Sequence, residues 1–266
     1  MGQIHRSTEG PEAYETHSAP IMRPFVAELL PAAGLGPGDH VLDLACGTGF
    51  AARAAAALVG PTGRVRGADI DEGMVRVARA HRSPRCPDTD FTAAPADRLP
   101  YAAATFDAVV CQQGAQLFPD LTAALAEAAR VTRPGGRFAA TVWAPVDRLP
   151  YFLAEQRALE KYAPDALPYF ARAYARTADQ LTTALRTAGY RDTAHREVTF
   201  DVTLPPLDRY AREHLDTLWG GMLKEAGGEE AVTRAGELVR EQLADRIAPD
   251  GTVTVPFTSL LVTATR

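Results

Sequence analysis

Asp43, Gly47, Thr48, Gly49 and Asp69 are the residues of this 266-residue chain whose types and spacing most directly imply chemistry. The run Val41-Leu42-Asp43-Leu44-Ala45 reads as a short buried strand, and Cys46-Gly47-Thr48-Gly49 turns sharply behind it. Glycines there let backbone approach a ligand where a Cβ would collide. Gly47-Thr48-Gly49-Phe50-Ala51-Ala52 also fits the dinucleotide pattern G-x-G-x-x-A, with Asp69 about 20 residues on, where a ribose-binding acid stands in that pattern. Charge separates the possibilities. A dinucleotide sets its pyrophosphate over the helix start at this turn, and Asp43 would repel it. A cationic ligand would be attracted instead, a difference of several kcal/mol across ~4 Å at an intermediate dielectric, before desolvation is subtracted.

The elements that must position these residues alternate from Asp39 to Trp143, as in βαβ units feeding a parallel sheet. Strands are expected at His40–Ala45, Arg64–Asp69, Asp90–Ala93, Thr105–Cys111 and Arg137–Trp143. Helices are expected over Phe50–Val59, over Asp71–Ala80, and from an Asp120 cap through Val131, where Pro134-Gly135-Gly136 follows as a stop. Thr177–Ala188 is amphipathic, His195–Leu204 alternates as a strand, Pro205–Ala248 reads as largely helical and Thr252–Thr265 as a last strand. Ala144–Arg176 is punctuated by proline and rich in aromatic residues.

Asp43 through Gly49 resembles motif I of the class I S-adenosylmethionine-dependent methyltransferases. Ala68-Asp69-Ile70-Asp71-Glu72-Gly73-Met74 is similar to their second motif. Ala96-Asp97-Arg98-Leu99-Pro100-Tyr101 with Phe106-Asp107-Ala108-Val109-Val110-Cys111 resembles the third and fourth, and Arg130 to Arg137 the approach to strand five. The resemblance covers residues 10 to 145 and is nearest to the ubiquinone/menaquinone and small-molecule branch. It implies a Rossmann-like α/β fold: a mostly parallel seven-stranded sheet with an antiparallel last strand and a helical lid. The whole chain then reads as one domain, with a helical N-terminal segment (1–38), a cofactor-binding core (39–143) and lid insertions at 144–176 and 205–248.

The cofactor so implied, S-adenosylmethionine, carries an ammonium and a sulfonium, which suits Asp43. Gly47 and Gly49 would pass under its methionine part, with Asp43, Ala45 and Thr48 also in contact. Asp69 would take the ribose diol, Ile70 and Met74 would pack the adenine, Ala96 would offer its N–H to the ring, and Gln112 would lie along the methionine moiety. Tyr14 matches a tyrosine that closes over the cofactor. The family often has an aspartate where this chain has Pro95, which offers neither carboxylate nor N–H; Asp97 is the candidate to replace it at the adenine amine.

Methyl transfer is an in-line displacement, so alignment and exclusion of water come first, and an acceptor oxygen can also need a base. Among the histidines His214, in the expected lid, is the first candidate. Gln113, Gln116 and Trp143 at strand ends, and Trp219 on the lid face shared by Leu215 and Leu218, are expected to line the acceptor pocket. The acceptor implied is a small apolar or aromatic molecule of specialised metabolism. Two other enzymes fit parts of the pattern. One is a non-methylating relative that binds S-adenosylmethionine and catalyses cyclisation or rearrangement. The other is an NAD(P)-dependent oxidoreductase, disfavoured by Asp43 and by the lack of a Tyr-x-x-x-Lys pair at Lys161 or Lys224.

Composition narrows the field further. Hydrophobic residues make up 46% and charged residues 23%, as in ordinary globular proteins, and the net charge of −5 comes without a basic stripe, against a nucleic-acid partner. No stretch approaches the roughly 20 apolar residues of a membrane span, and the polar first residues lack the apolar core of a signal peptide. Cys46, Cys86 and Cys111 are too far apart for a C-x-x-C metal or redox pair, so no metal site is expected. The chain reads as a cytoplasmic enzyme, with a homodimer as an open expectation.

Overall fold

A computed structural model describes residues 10–84, 86 and 88–266; residues 1–9, the start of the expected N-terminal helical segment, lie outside it. Helices α1 (Gly10–His17) and α2 (Ala19–Ala32) come first. There follow β1 (His40–Leu44), α3 (Phe50–Val59), β2 (Arg64–Asp69), α4 (Glu72–Ala80), β3 (Thr89–Ala93), β4 (Phe106–Gln112), α5 (Leu121–Val131) and β5 (Thr132–Trp143). Then come α6 (Pro150–Tyr162), α7 (Leu167–Tyr174), α8 (Ala178–Thr187), β6 (Arg191–Leu204), α9 (Leu207–Gln242) and β7 (Val253–Thr265). The seven strands form one sheet in the order β3-β2-β1-β4-β5-β7-β6. Strands β1 to β5 pair in parallel and β5 with β7 antiparallel, as expected of the fold.

The residues group into two compact units. The sheet unit comprises 23–143, 176–198 and 259–266; the helical unit comprises 10–22, 144–175 and 199–258. In the sheet unit, β1 buries Val41, Leu42, Asp43 and Leu44, the continuous burial of a strand covered on both faces. Three flanking helices start at side chains that cap them. The Asp71 carboxylate accepts from the Met74 N–H at the head of α4, and Asp120 accepts from Ala123 at the head of α5. At α8, Thr177 and Gln180 close a reciprocal capping box.

Strand β5 starts five residues before its expected first residue, Arg137. The register against β4 shifts between Phe106↔Thr132 and Ala108↔Arg137, so Arg133 to Gly136 are carried as a bulge instead of ending the pairing. In the helical unit α9 is broken at Gly228, whose φ of +66° no α-helix accommodates. There Thr199 pairs with Thr258 and Thr203 with Thr254 through their hydroxyls, at 2.9 and 2.8 Å. One number rises as the other falls, which is an antiparallel register.

Candidate active site

At the carboxyl end of β1 the chain turns through left-handed backbone at Ala45 (φ +58°), Gly47 (φ +52°) and Gly49 (φ +86°). A non-glycine residue there costs energy, and such residues gather at functional sites. A second one, Gln113 (φ +52°), stands just past the end of the neighbouring strand β4. A Cβ built on Gly47 meets nothing within 4 Å, so the turn presents open backbone on that side. Gly114 serves the turn from behind: a Cβ there would come within 2.5 Å of the Ala45 methyl. Gly114 was not singled out in the sequence; a glycine next to a strand end is its only signal.

The two acids of the turn are held differently. Asp43 is 1% exposed; its Oδ2 accepts from the Ala52 N–H at 2.8 Å, in the first turn of α3, while Oδ1 has no partner. Burial pushes its carboxyl up to about 7, against the helping hydrogen bond from Ala52, with the neighbouring charge of Asp69 adding to the rise. Asp69 ends β2. Its Oδ2 accepts from the Gly47 N–H at 2.8 Å and its Oδ1 from the Asp71 N–H at 2.9 Å. One carboxylate therefore ties the glycine turn to the head of α4. The Cys46 thiol between these acids is held well above its ordinary value, first by burial, and stays protonated.

The other expected cofactor residues except Tyr14 lie in the same sheet unit. Thr48 is fully buried with its hydroxyl unpartnered. Ile70 is 72% exposed, while Met74 is buried in α4. Beyond β3, Ala94 N–H donates to the Asp69 carbonyl at 2.8 Å and Arg98 N–H to the Pro95 carbonyl at 3.1 Å. These bonds fold Pro95 to Arg98 into a turn with Ala96 half-buried and Asp97 exposed. Gln112 closes β4, opposite Thr141.

Gln113 Nε2 donates to Ser259 Oγ at 2.7 Å, and Gln116, also buried, lies 3.4 Å from the Gln113 amide oxygen. Trp143 packs edge-on against Phe25, with ring centres 5.2 Å apart. The turn thus combines an unmatched buried carboxylate oxygen, an unmatched hydroxyl, exposed backbone and two acids. That set fits a ligand bringing hydrogen-bond donors and positive charge, and it fits a pyrophosphate poorly.

In the helical unit, Tyr14 lies half-buried on α1. The Tyr210 hydroxyl donates to the His17 carbonyl at 2.5 Å, which fastens α1 to α9. His214 is 1% exposed, and its Nδ1 lies 2.6 Å from Glu155 of α6, itself fully buried. Tyr151 and Tyr210 flank the ring at 5.5 and 5.6 Å between centres. The expected base is therefore enclosed in this conformation and braces α6 against α9. Trp219 is buried against Phe170, with ring centres 5.7 Å apart. Among the described residues no group of His, Cys, Asp or Glu is arranged to hold a metal ion, and no helix is long and apolar enough to cross a membrane.

Comparison with known proteins points the same way. The family described as "Methyltransferase domain" matches residues 41–136. The demethylmenaquinone methyltransferase of Beutenbergia cavernae is 36% identical over 182 residues, 64% of this chain and 73% of that protein. The ubiquinone/menaquinone biosynthesis C-methyltransferase of Burkholderia vietnamiensis is 35% identical over 166 residues, 61% of this chain and 65% of its own length. The chain thus spans just under two thirds of this second relative. Among solved structures, the phosphoethanolamine N-methyltransferase 2 of Haemonchus contortus, in complex with S-adenosylhomocysteine, superposes with a TM-score of 0.63. It is 17% identical, over 98% of this chain and 57% of that one, a likeness of fold alone.

Proposed function

The chain belongs to the class I S-adenosylmethionine-dependent methyltransferases, and on that premise we propose that it methylates a small apolar or aromatic molecule of specialised metabolism. S-adenosylmethionine, the family's cofactor, supplies when bound an electrophilic methyl group whose bond to sulfur breaks as the bond to the acceptor forms. The observation that carries the reading is Asp43: a buried carboxylate with one oxygen unmatched, behind a glycine turn with open backbone.

Asp43 would favour the cofactor's positive charge, and its bond to Ala52 fixes the head of α3 beneath it. Gly47, Thr48 and Gly49 would give backbone and hydroxyl contacts, with Ala45 setting the strained entry to the turn. Asp69, already oriented by two N–H groups, retains acceptor capacity for the ribose hydroxyls. Ile70 and Met74 would pack the adenine, Ala96 and Asp97 would bond its edge, and Gln112 would border the methionine part.

In the sheet unit Gln113, Gln116 and Trp143 would face the acceptor. Two relatives named for quinone methylation, one of them as a C-methyltransferase, support an aromatic ring as the acceptor. Alignment and water exclusion then carry most of the rate. His214 enters as a residue that positions α9 through Glu155, and serves as a base only if α9 moves to uncover it.

The test is incubation with methyl-labelled S-adenosylmethionine and a panel of hydroxylated aromatic acceptors, followed by extraction of labelled product. Calorimetry on the same protein should show binding of S-adenosylhomocysteine and not of NADH. Tighter binding of NADH would overturn the assignment of cofactor and reaction together.

A further inference from the structure

We infer that β6 is a dimerisation edge, along which two copies of the chain pair antiparallel about a twofold axis at Ala194.

Strand β6 ends the sheet order, so among the described residues only β7 pairs with it and its other side is open. Along 191–198, the part of β6 in the sheet unit, Ala194, His195, Arg196 and Glu197 are all exposed. The neighbouring strand fixes where the free backbone groups point. Thr258 of β7 gives its carbonyl to the Ala144 N–H, on the β5 side, at 3.1 Å. Thr199 stands opposite Thr258, so its own N–H and carbonyl turn away from β7, to the open side. This direction alternates along a strand, and Thr193, His195 and Glu197 therefore present backbone groups to the open side too. Asp192, with φ +48°, ends the regular run. Such an edge is a template for another strand.

The order of charges says which strand fits. From Arg191 to Glu197 the chain reads Arg-Asp-Thr-Ala-His-Arg-Glu, with each charge matched by its opposite when the run is reversed. Turned antiparallel about Ala194, a second copy sets its Glu197 opposite Arg191 and its Arg196 opposite Asp192. Symmetry repeats both pairs. Thr193 of one copy and His195 of the other then exchange backbone hydrogen bonds, while the outermost pair meets through its side chains. A shift of two residues to either side sets none of the four charges opposite its complement, and parallel pairing in register sets like against like. This is the self-complementarity that a twofold interface needs; a charged edge that only repels other strands has no need of it. Arg196 already meets Glu28 of α2, and its guanidinium keeps donors for a second carboxylate. It lines a groove of about 400 Å³ beside α2, which leaves it room to turn across the axis.

The test is sedimentation of the full chain from about 1 to about 100 μM, over which a dimer of micromolar affinity grows in with concentration. Glu197→Arg sets arginine against Arg191 and should weaken association by about tenfold or more, as should Arg191→Glu. The double variant restores opposite signs across the axis and should recover the dimer, which a merely damaged edge would not. A second measurement uses the axis itself. Residues directly opposite in a non-hydrogen-bonded pair have Cα atoms about 4.5 Å apart, within disulfide range. Ala194→Cys should therefore oxidise to a covalent dimer, and His195→Cys, whose opposite residue is Thr193, should not. Cys46, Cys86 and Cys111 are buried and do not compete. A chain that stays monomeric to about 100 μM would overturn the inference. So would a dimer indifferent to charge reversal, or cross-linking as fast in His195→Cys as in Ala194→Cys.

Discussion

His17 Nε2 faces the Glu213 carboxylate at 3.3 Å, while its Nδ1 lies 3.0 Å from the Thr217 hydroxyl. Thr217 already donates its proton to the Glu213 carbonyl, so Nδ1 must be the donor to Thr217 and Nε2 is the atom that titrates. Burial lowers the His17 pKa from its ordinary 6.5. Glu213 pulls it up, His214 and Arg209 push it down, and burial prevails. Unfolded chains therefore take the proton first. The contribution of His17 to stability is intact above pH 6.5 and is lost as pH falls through the lowered value. Nuclear magnetic resonance should place the His17 midpoint below 6.5, and lower still in Glu213→Gln. A midpoint above 6.5 would show that the ion pair outweighs burial.

Asp43 makes the opposite demand on pH. Its carboxyl, raised to about 7 in the free chain, lowers stability as pH rises through that value, and a bound cation favours its ionised form. Affinity for S-adenosylmethionine should tighten from about pH 6 to about pH 7.5. Asp43→Asn should flatten that dependence and weaken binding, yet melt higher than the parent at alkaline pH when no cofactor is added. Parallel calorimetry and thermal melts check both halves, and a variant that binds normally would remove Asp43 from the site.

For Asp69 the expected cost of Asp69→Ala is about 1.5–3 kcal/mol of cofactor affinity for each charge-assisted hydrogen bond lost. The same carboxylate also holds the Gly47 and Asp71 N–H groups, so some of the loss will come from a loosened turn. Comparing S-adenosylhomocysteine with its 2′-deoxy analogue separates the two sources. Direct recognition predicts a smaller penalty for the analogue; equal penalties would mean that Asp69 only organises the turn.

Asp97 is exposed on the turn that Pro95 begins. If it takes the adenine amine, Asp97→Ala will weaken S-adenosylhomocysteine more than an analogue lacking that amine. Equal losses for both ligands would assign the amine to another group. Titration of the two ligands into both proteins is sufficient.

The sequence was most readable where the structure is local. Phe50–Val59 and Arg64–Asp69 have the bounds expected from their glycines and apolar runs, and Asp120 and Thr177 cap the helices they introduce. It was least readable where distant residues decide. Pro134-Gly135-Gly136 looks like a terminator, yet pairing with β4 carries the strand across it as a bulge. His214 reads as a free base until Glu155, far away in the chain, is found against it. Nor does any local pattern show that three separate segments make up the helical unit. The glycine turn was legible because its chemistry lies within one short stretch.

Residues Arg137–Trp143 of β5 take their antiparallel partner from Ser259–Thr265, far later in the chain. At about 5–20 residues per second, a ribosome needs on the order of ten seconds to pass from Trp143 to Ser259. Throughout that interval one side of β5 waits with its backbone groups unpaired, on a strand that ends in Phe138, Ala139, Ala140, Thr141, Val142 and Trp143. A long apolar edge of this kind recruits other strands. Solubility during synthesis is therefore governed by the arrival of Ser259–Thr265. Chains stopped short of Ser259 should accumulate as aggregates or stay on chaperones, even though every residue of the glycine turn has already been made.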